Sequence, residues 1–212
     1  VPADPRRLGG EDSSVTGFHT LQQTEDAVSS KIDGLQVDFA AMAAVSNLYR
    51  AASAIRNHLE QSVLRSLDLT WTGFVVLWVV WIWDESETRH VAAEAGITKG
   101  TLTGVAQTLV NRGLLVKQVP EHDRRRTLLS LTDDGQRLMQ QLFPSFNGEE
   151  KFVTEALQRD EVTTLGASLH RVIEHLEAHG PQRQATVVPL VVEGHESRSA
   201  KRAAGSGRPD VG

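Results

Sequence analysis

The sequence predicts a mainly α-helical chain carrying one small β-hairpin, and three observations lead there. Apolar residues recur at three- and four-residue spacing through 38–66 and again through 160–179, the period of an amphipathic helix. Between them, residues 71–83 are apolar on nearly every face, as a helix enclosed by others would be. Past a glycine-punctuated pair of helical stretches, two short β-prone segments flank Arg124-Arg125-Arg126.

Composition removes several classes of function. With 212 residues the chain is long enough for one domain with a substantial core, plus tails. Cysteine is absent, which excludes disulfide scaffolds, thiolate zinc sites and cysteine redox sensing, and fits a cytoplasmic location. No apolar stretch follows the opening Val1-Pro2-Ala3-Asp4-Pro5-Arg6-Arg7, so no secretory signal is expected. The longest apolar run, residues 74–83, falls short of the roughly 20 needed to span a bilayer, and no membrane partner is expected. Ser, His and Asp are present, but neither a nucleophile elbow nor a paired-histidine zinc motif organises them. The chain is therefore not read as an enzyme, and no cofactor is implied.

The elements follow in order. Residues 1–22 are polar, with Pro2, Pro5 and two adjacent glycines, and read as a disordered arm. Thr24, followed by Glu25 and Asp26, reads as the start of a helix that Gly34 interrupts. Asp38 opens the long helix, in which Met42, Val45, Leu48, Ala52, Ile55, Leu59 and Val63 form one stripe as far as Ser66. That length exceeds what a small core needs, so the helix is expected to reach into a second subunit. Thr70 caps 71–83, which holds all four tryptophans, Trp71, Trp78, Trp81 and Trp83. Further on, Thr132-Asp133-Asp134-Gly135 opens a helix containing Leu138, Met139, Leu142 and Phe143, which Pro144 is expected to kink or break. The final helix, 160–179, sets Val162, Leu165, Leu169, Val172, Ile173 and Leu176 on a buried side and stops at Gly180-Pro181. Residues 180–212, rich in Gly, Ser, Ala and Arg, read as a disordered tail, and Pro189 argues against a central strand there.

The informative segment is 87–131. Residues 91–96 form a short Ala-rich helix closed by Gly96. Ile97 is a buried pin, and Thr98 caps a second helix over 99–112. Helix, glycine turn and helix make a helix-turn-helix. Leu102, Val105, Ala106, Leu109 and Val110 face the core, which leaves Lys99, Thr101, Thr103 and Gln107 outside. Short hydroxyl and amide side chains near a helix N-terminus suit a major groove about 12 Å wide, and the helix dipole there favours phosphate. Gly113 ends the helix; strands at 114–119 and 127–131 follow, with the three arginines at the tip between them. Such a hairpin is a wing, and flat guanidinium groups enter narrow minor grooves and fork onto phosphates. Asp123 is expected to pair with a nearby arginine and fix the wing's shape. The candidate DNA contacts are thus Thr98, Lys99, Thr101, Thr103, Gln107, Asp123, Arg124, Arg125 and Arg126. Charge partition agrees: 87–131 holds seven basic and four acidic residues, net +3, in a chain of net −5, so the remainder carries −8.

The run GITKGTLTGVAQTLVNRGLL, the Asp123-Arg124-Arg125 wing and Leu131-Thr132-Asp133-Asp134-Gly135 together resemble the MarR family of bacterial regulators, over about residues 38–179. The resemblance implies a winged helix-turn-helix at 87–131 within a domain over 23–179, with dimerisation helices at 24–66 and 150–179. It implies a homodimer on a pseudo-palindromic operator in double-stranded DNA. Often a small phenolic or lipophilic effector releases the DNA, and repression is the usual outcome. By the same likeness Asp123 and Arg125 are the wing's paired acid and arginine. The effector site implied by the family lies between the tryptophan helix, the long first helix and the DNA-binding lobe, with Tyr49, Arg56, His58, Trp71 and Trp78 as candidates. Core and dimer packing is the plainer use of those tryptophans.

Gly104 departs from the family, standing where many relatives carry an arginine, and Gly100 adds a second glycine to the same helix. Base preference is therefore not carried over. An alternative function is a winged helix that grips an acidic protein instead of DNA. His175 and His179, at i, i+4 on the helix that also holds His170, have zinc-compatible spacing, but no carboxylate-histidine set completes a site. They read as surface histidines, with no metal.

Overall fold

The computed structural model describes residues 19–121, 123 and 125–186, in two compact units, Val1–Ala156 and Leu157–Gly212. The disordered-arm expectation for 1–18 and the tail expectation for 187–212 lie outside the described residues.

Side-chain caps set where most helices of the first unit begin. Thr20 opens α1 (Leu21–Lys31) through a capping box: its hydroxyl accepts from the Gln23 N–H while the Gln23 side chain accepts from the Thr20 N–H. The helix therefore starts one turn before the expected Thr24, whose own hydroxyl donates back to the Thr20 carbonyl. Residues 21 and 22 accordingly leave the expected arm and join the helix. After Gly34, at φ +83°, Asp38 caps α2 (Phe39–Leu59). The helix then loosens into a π turn (Glu60–Leu64) and tightens into a 3-10 turn (Arg65–Leu67). Only the far end of its apolar stripe is covered. Leu59, Val63 and Leu64 are buried, whereas Val45 and Leu48 are exposed.

Thr70 caps α3 (Trp71–Trp83) by accepting from the Gly73 N–H. This helix runs through the middle of the core, with Phe74, Val76, Leu77, Val79 and Val80 buried. Its last turn is not enclosed, contrary to the all-apolar pattern: Ile82 and Trp83 face solvent. A two-residue strand that hydrophobic periodicity does not announce, β1 (Ser86–Glu87), follows and leads into α4 (Thr88–Glu94) and then α5 (Lys99–Asn111). Next come β2 (Leu115–Gln118), two residues shorter than expected, and β3 (Leu128–Leu131), one residue shorter. The sheet is antiparallel in the order β1-β3-β2, with Glu87 opposite Leu128 and Leu115 opposite Leu131.

Thr132 caps α6 (Asp133–Val153), which runs on through Pro144. The proline deprives the Gln140 carbonyl of its helical donor, but both residues lie on the exposed face, where the carbonyl is open to solvent. Met139, Leu142 and Phe146 close the core from this helix.

The second unit contains α7 (Arg159–Thr186), which likewise continues through Gly180 and Pro181. Its expected apolar side is not buried. Leu165, Val172, Ile173 and Leu176 are all exposed. Among the described residues, no single helix is long and apolar enough to cross a membrane.

Candidate nucleic-acid interface

Two turns of the same design bracket α5. At the end of α4, Gly96 sits at φ +63°, its N–H bonded to the Ala93 carbonyl while the Ile97 N–H reaches Ala92. At the end of α5, Gly113 at φ +70° bonds Val110 while the Leu114 N–H reaches Leu109. Both are Schellman closures, which need a residue in the left-handed region and then tuck an apolar side chain inward. Ile97 is half-buried against the core and Leu114 is buried. The turn thereby fixes α5 against α4, and Leu102, Ala106 and Leu109 bury its inner face.

The outer face is polar and exposed. Thr98 Oγ1 accepts from the Thr101 N–H at 3.1 Å and lies 2.9 Å from Thr101 Oγ1, so both hydroxyls cluster at the helix N-terminus. Thr103 Oγ1 donates to the Lys99 carbonyl at 2.9 Å, which leaves its oxygen lone pairs as acceptors. Gln107 Nε2 donates to Asn111 Oδ1 at 2.8 Å. Lys99, Thr103 and Gln107 line a groove of about 200 Å³ together with Thr88, Lys117 and Thr127, floored by Leu102, Ala106 and Leu129. Thr88 and Lys117 were not among the sequence candidates. Strand alternation gives no warning of Lys117, which shares its face of β2 with the buried Leu115.

Asp123 shapes the wing through its backbone. Its carboxylate accepts from the Arg125 backbone N–H at 3.1 Å, and its carbonyl accepts from the Arg126 N–H at 3.1 Å. Among the described residues no guanidinium pairs with Asp123. A short acid at a turn can satisfy backbone donors two residues on. Arg125 is exposed, with no ion pair among the described residues, while Arg124 lies outside them.

Arg126 does something else. Its Nη2 lies 2.5 Å from Glu87 Oε1, and Arg89 Nε lies 2.7 Å from Glu87 Oε2. Glu87 is the one buried charged residue among the described residues, 8 % exposed, and sequence reading had only counted its charge. Arg112, likewise only counted, donates to the carbonyls of Leu67 and Asp68 at 2.7 and 2.5 Å, tying the end of α5 to the α2–α3 junction. Asp68 there is left-handed, at φ +53°.

The proposed ligand residues are not assembled around one cavity. Tyr49 and Arg56 are exposed. His58 lies 2.6 Å from Glu149 and stacks on Phe152. Trp71 and Trp78 belong to an aromatic ladder with Phe74, Phe143, Phe146 and Trp81, with Phe74 and Phe146 stacked at 4.3 Å and Trp78 and Phe143 at 4.8 Å. A cavity of about 400 Å³ lies elsewhere, between Trp83, Glu87, His90, Glu94 and Arg126, and none of the five lines it. On α7, His175 and His179 stack at 4.7 Å and His170 pairs with Glu174. Among the described residues no three His, Asp or Glu side chains are placed to hold a metal.

Known proteins match this arrangement. The transcriptional regulator SarA/Rot family matches residues 58–142. An HTH-type transcriptional regulator of Bacillus subtilis, YwaE, is 32% identical over 159 residues, which is 74% of this chain and 93% of YwaE. The structure of BpsR from Bordetella bronchiseptica, whose DNA binding is regulated by 6-hydroxynicotinic acid, is 26% identical with a TM-score of 0.57, covering 61% of this chain and 97% of BpsR. AbsC from Streptomyces coelicolor, a MarR family regulator, shares the fold at a TM-score of 0.59 and 20% identity, covering 67% of this chain and 97% of AbsC. These relatives are regulators of transcription and not enzymes. With its helix-turn-helix, its wing and these relatives taken together, the chain belongs to the MarR family of winged helix-turn-helix transcriptional regulators.

Proposed function

We propose that the chain acts as a homodimeric, sequence-specific repressor. Each α5 enters a major groove of a pseudo-palindromic operator and each wing reaches the flanking minor groove, with half-sites about 10 bp apart centre to centre. The observation that carries this reading is the groove lined by Lys99, Thr103, Gln107 and Lys117 beside the exposed Arg125. Thr98 and Thr101 add hydroxyls at the N-terminus of α5, where the helix dipole favours phosphate. Dimerisation draws support from apolar residues left exposed on each unit, Phe39, Val45 and Leu48 on α2 and Val172, Ile173 and Leu176 on α7.

The effector, in this reading, is a small aromatic acid, by likeness to BpsR and its hydroxynicotinic acid. It acts by binding the DNA-incompetent arrangement better than the competent one. Aromatic acids should quench the tryptophan emission and dissociate the operator complex; silence in both assays removes the effector from the proposal.

The test of the whole is selection of random duplex DNA on the purified chain, followed by affinity measurements on the enriched sequence against salt. An enriched inverted repeat with a steep salt slope is the expected result. Enrichment of nothing returns the weight to a winged helix that grips an acidic protein.

A further inference from the structure

The buried carboxylate of Glu87 is an unusual companion for a surface that binds a polyanion. It sits on β1 opposite Leu128, and Arg126 leads directly into β3 two residues earlier. Each oxygen takes one guanidinium: Oε1 holds Arg126 at the root of the wing, Oε2 holds Arg89 in the first turn of α4. The carboxylate side chain is 9 % exposed, whereas Arg126 and Arg89 are 49 % and 63 % exposed. The acid is thus the enclosed partner and the two cations are the outer ones. A buried carboxylate left without such partners is strongly disfavoured, so the pairing is held by the cost of opening it.

We infer that Glu87 is a specificity-determining positioning residue: it occupies Arg126 and Arg89 in the place a phosphate would take, and so fixes the wing root while withholding two cations from indiscriminate DNA contact. The inference rests on the DNA-binding reading above. A free arginine beside the duplex strengthens binding to any sequence alike, because phosphate contacts carry no base information. A fixed wing root favours the operator alone, because only there do base and wing contacts form together. Glu87 therefore lowers affinity for random DNA and leaves operator affinity supported by order. Among the described wing arginines, Arg126 is then the one held by an acid, and the Arg89–Glu87–Arg126 cluster contributes one net positive charge instead of two.

The test compares the whole chain with its Glu87→Gln variant on operator and on random duplexes of equal length, from low to high salt. Each phosphate contact adds about 0.9 to the slope of log affinity against log salt. The variant should steepen the random-DNA slope by about one to two, as one or both freed arginines reach phosphate, and lower the operator-to-random affinity ratio about tenfold. A random-DNA slope that is unchanged or flatter in a folded variant overturns the inference. Should Glu87→Gln fail to unfold cooperatively, the double variant Glu87→Gln/Arg126→Gln, which removes acid and base together, decides. Its random-DNA slope should match the wild type or exceed it by the one contact of the freed Arg89, whereas flattening by about one makes Arg126 a phosphate contact and sinks the idea. A wild type with no affinity for duplex DNA sinks the functional reading as well; a wild type that binds normally beside an unaltered variant sinks only the role of Glu87.

Discussion

Gly135 lies directly against the carbonyl of Leu114: a methyl group at its Cα would stand 2.2 Å from that oxygen. The approach is close because Thr132 ties the two segments together. Its N–H donates to the Leu114 carbonyl at 3.1 Å, and its hydroxyl donates to Gly113 at 2.6 Å while accepting from the Gly135 N–H. No flexible side chain is available to yield, since the obstacle is backbone. Gly135→Ala should therefore destabilise the chain by about 3 kcal/mol, the upper part of the range for overpacking. A calorimetric midpoint lowered by less than two degrees would mean that α6 shifts freely and that the contact is incidental.

Arg125 is an exposed wing arginine, with its backbone held by Asp123 and its guanidinium without an ion pair among the described residues. Arg125→Ala should weaken operator binding and flatten the salt dependence by about one unit of slope, as the loss of one phosphate or minor-groove cation predicts. Affinity that stays unchanged at several salt concentrations would remove that residue from the interface.

Thr103 spends its hydroxyl proton on the Lys99 carbonyl. What it offers a base is an acceptor oxygen and a methyl group, which suit an amino donor or a thymine methyl. Thr103→Ala removes both and should change the selected operator sequence by about 1–2 kcal/mol at one position, with little change on random DNA. Equal losses on operator and random duplexes would assign the side chain to backbone positioning instead.

Gly104 is an interior residue of α5 with nothing within 4 Å of where a Cβ would stand. Gly104→Ala should raise stability by about 1 kcal/mol, the helix-propensity difference. Denaturant melts of the free protein measure it directly. A destabilised variant would show that the glycine is needed for the helix path and not merely tolerated.

Much of this was legible in the sequence because it is local. The caps at Asp38, Thr70, Thr98 and Thr132 each act within three residues, and the glycine closures at 96 and 113 need only the chain around them. The start of α1 was misplaced by a turn because Thr20 and Thr24 both look like caps, and only the Gln23 side chain distinguishes them. Pro144 and Pro181 did not break their helices, since the rule describes the lost hydrogen bond and not whether water can replace it. β1 has two residues and no periodicity; its existence depends on β3, some forty positions away. For the same reason no local pattern announces the Glu87–Arg126 pair or the Arg112 anchor. The buried side assigned to α7 failed for another reason. Amphipathic spacing identifies a face that wants cover, not the molecule that supplies it.

The π turn at Glu60–Leu64 falls where the long second helix enters the core. One residue more than an ordinary turn is fitted there, which rotates everything beyond it by about 100° about the axis. Val45 and Leu48, nearer the start of the helix, are exposed, whereas Leu59 just before the bulge and Val63 and Leu64 within it are buried. Deleting a single residue within it would turn the segment that leads into α3 by about 100° against the buried end of the helix.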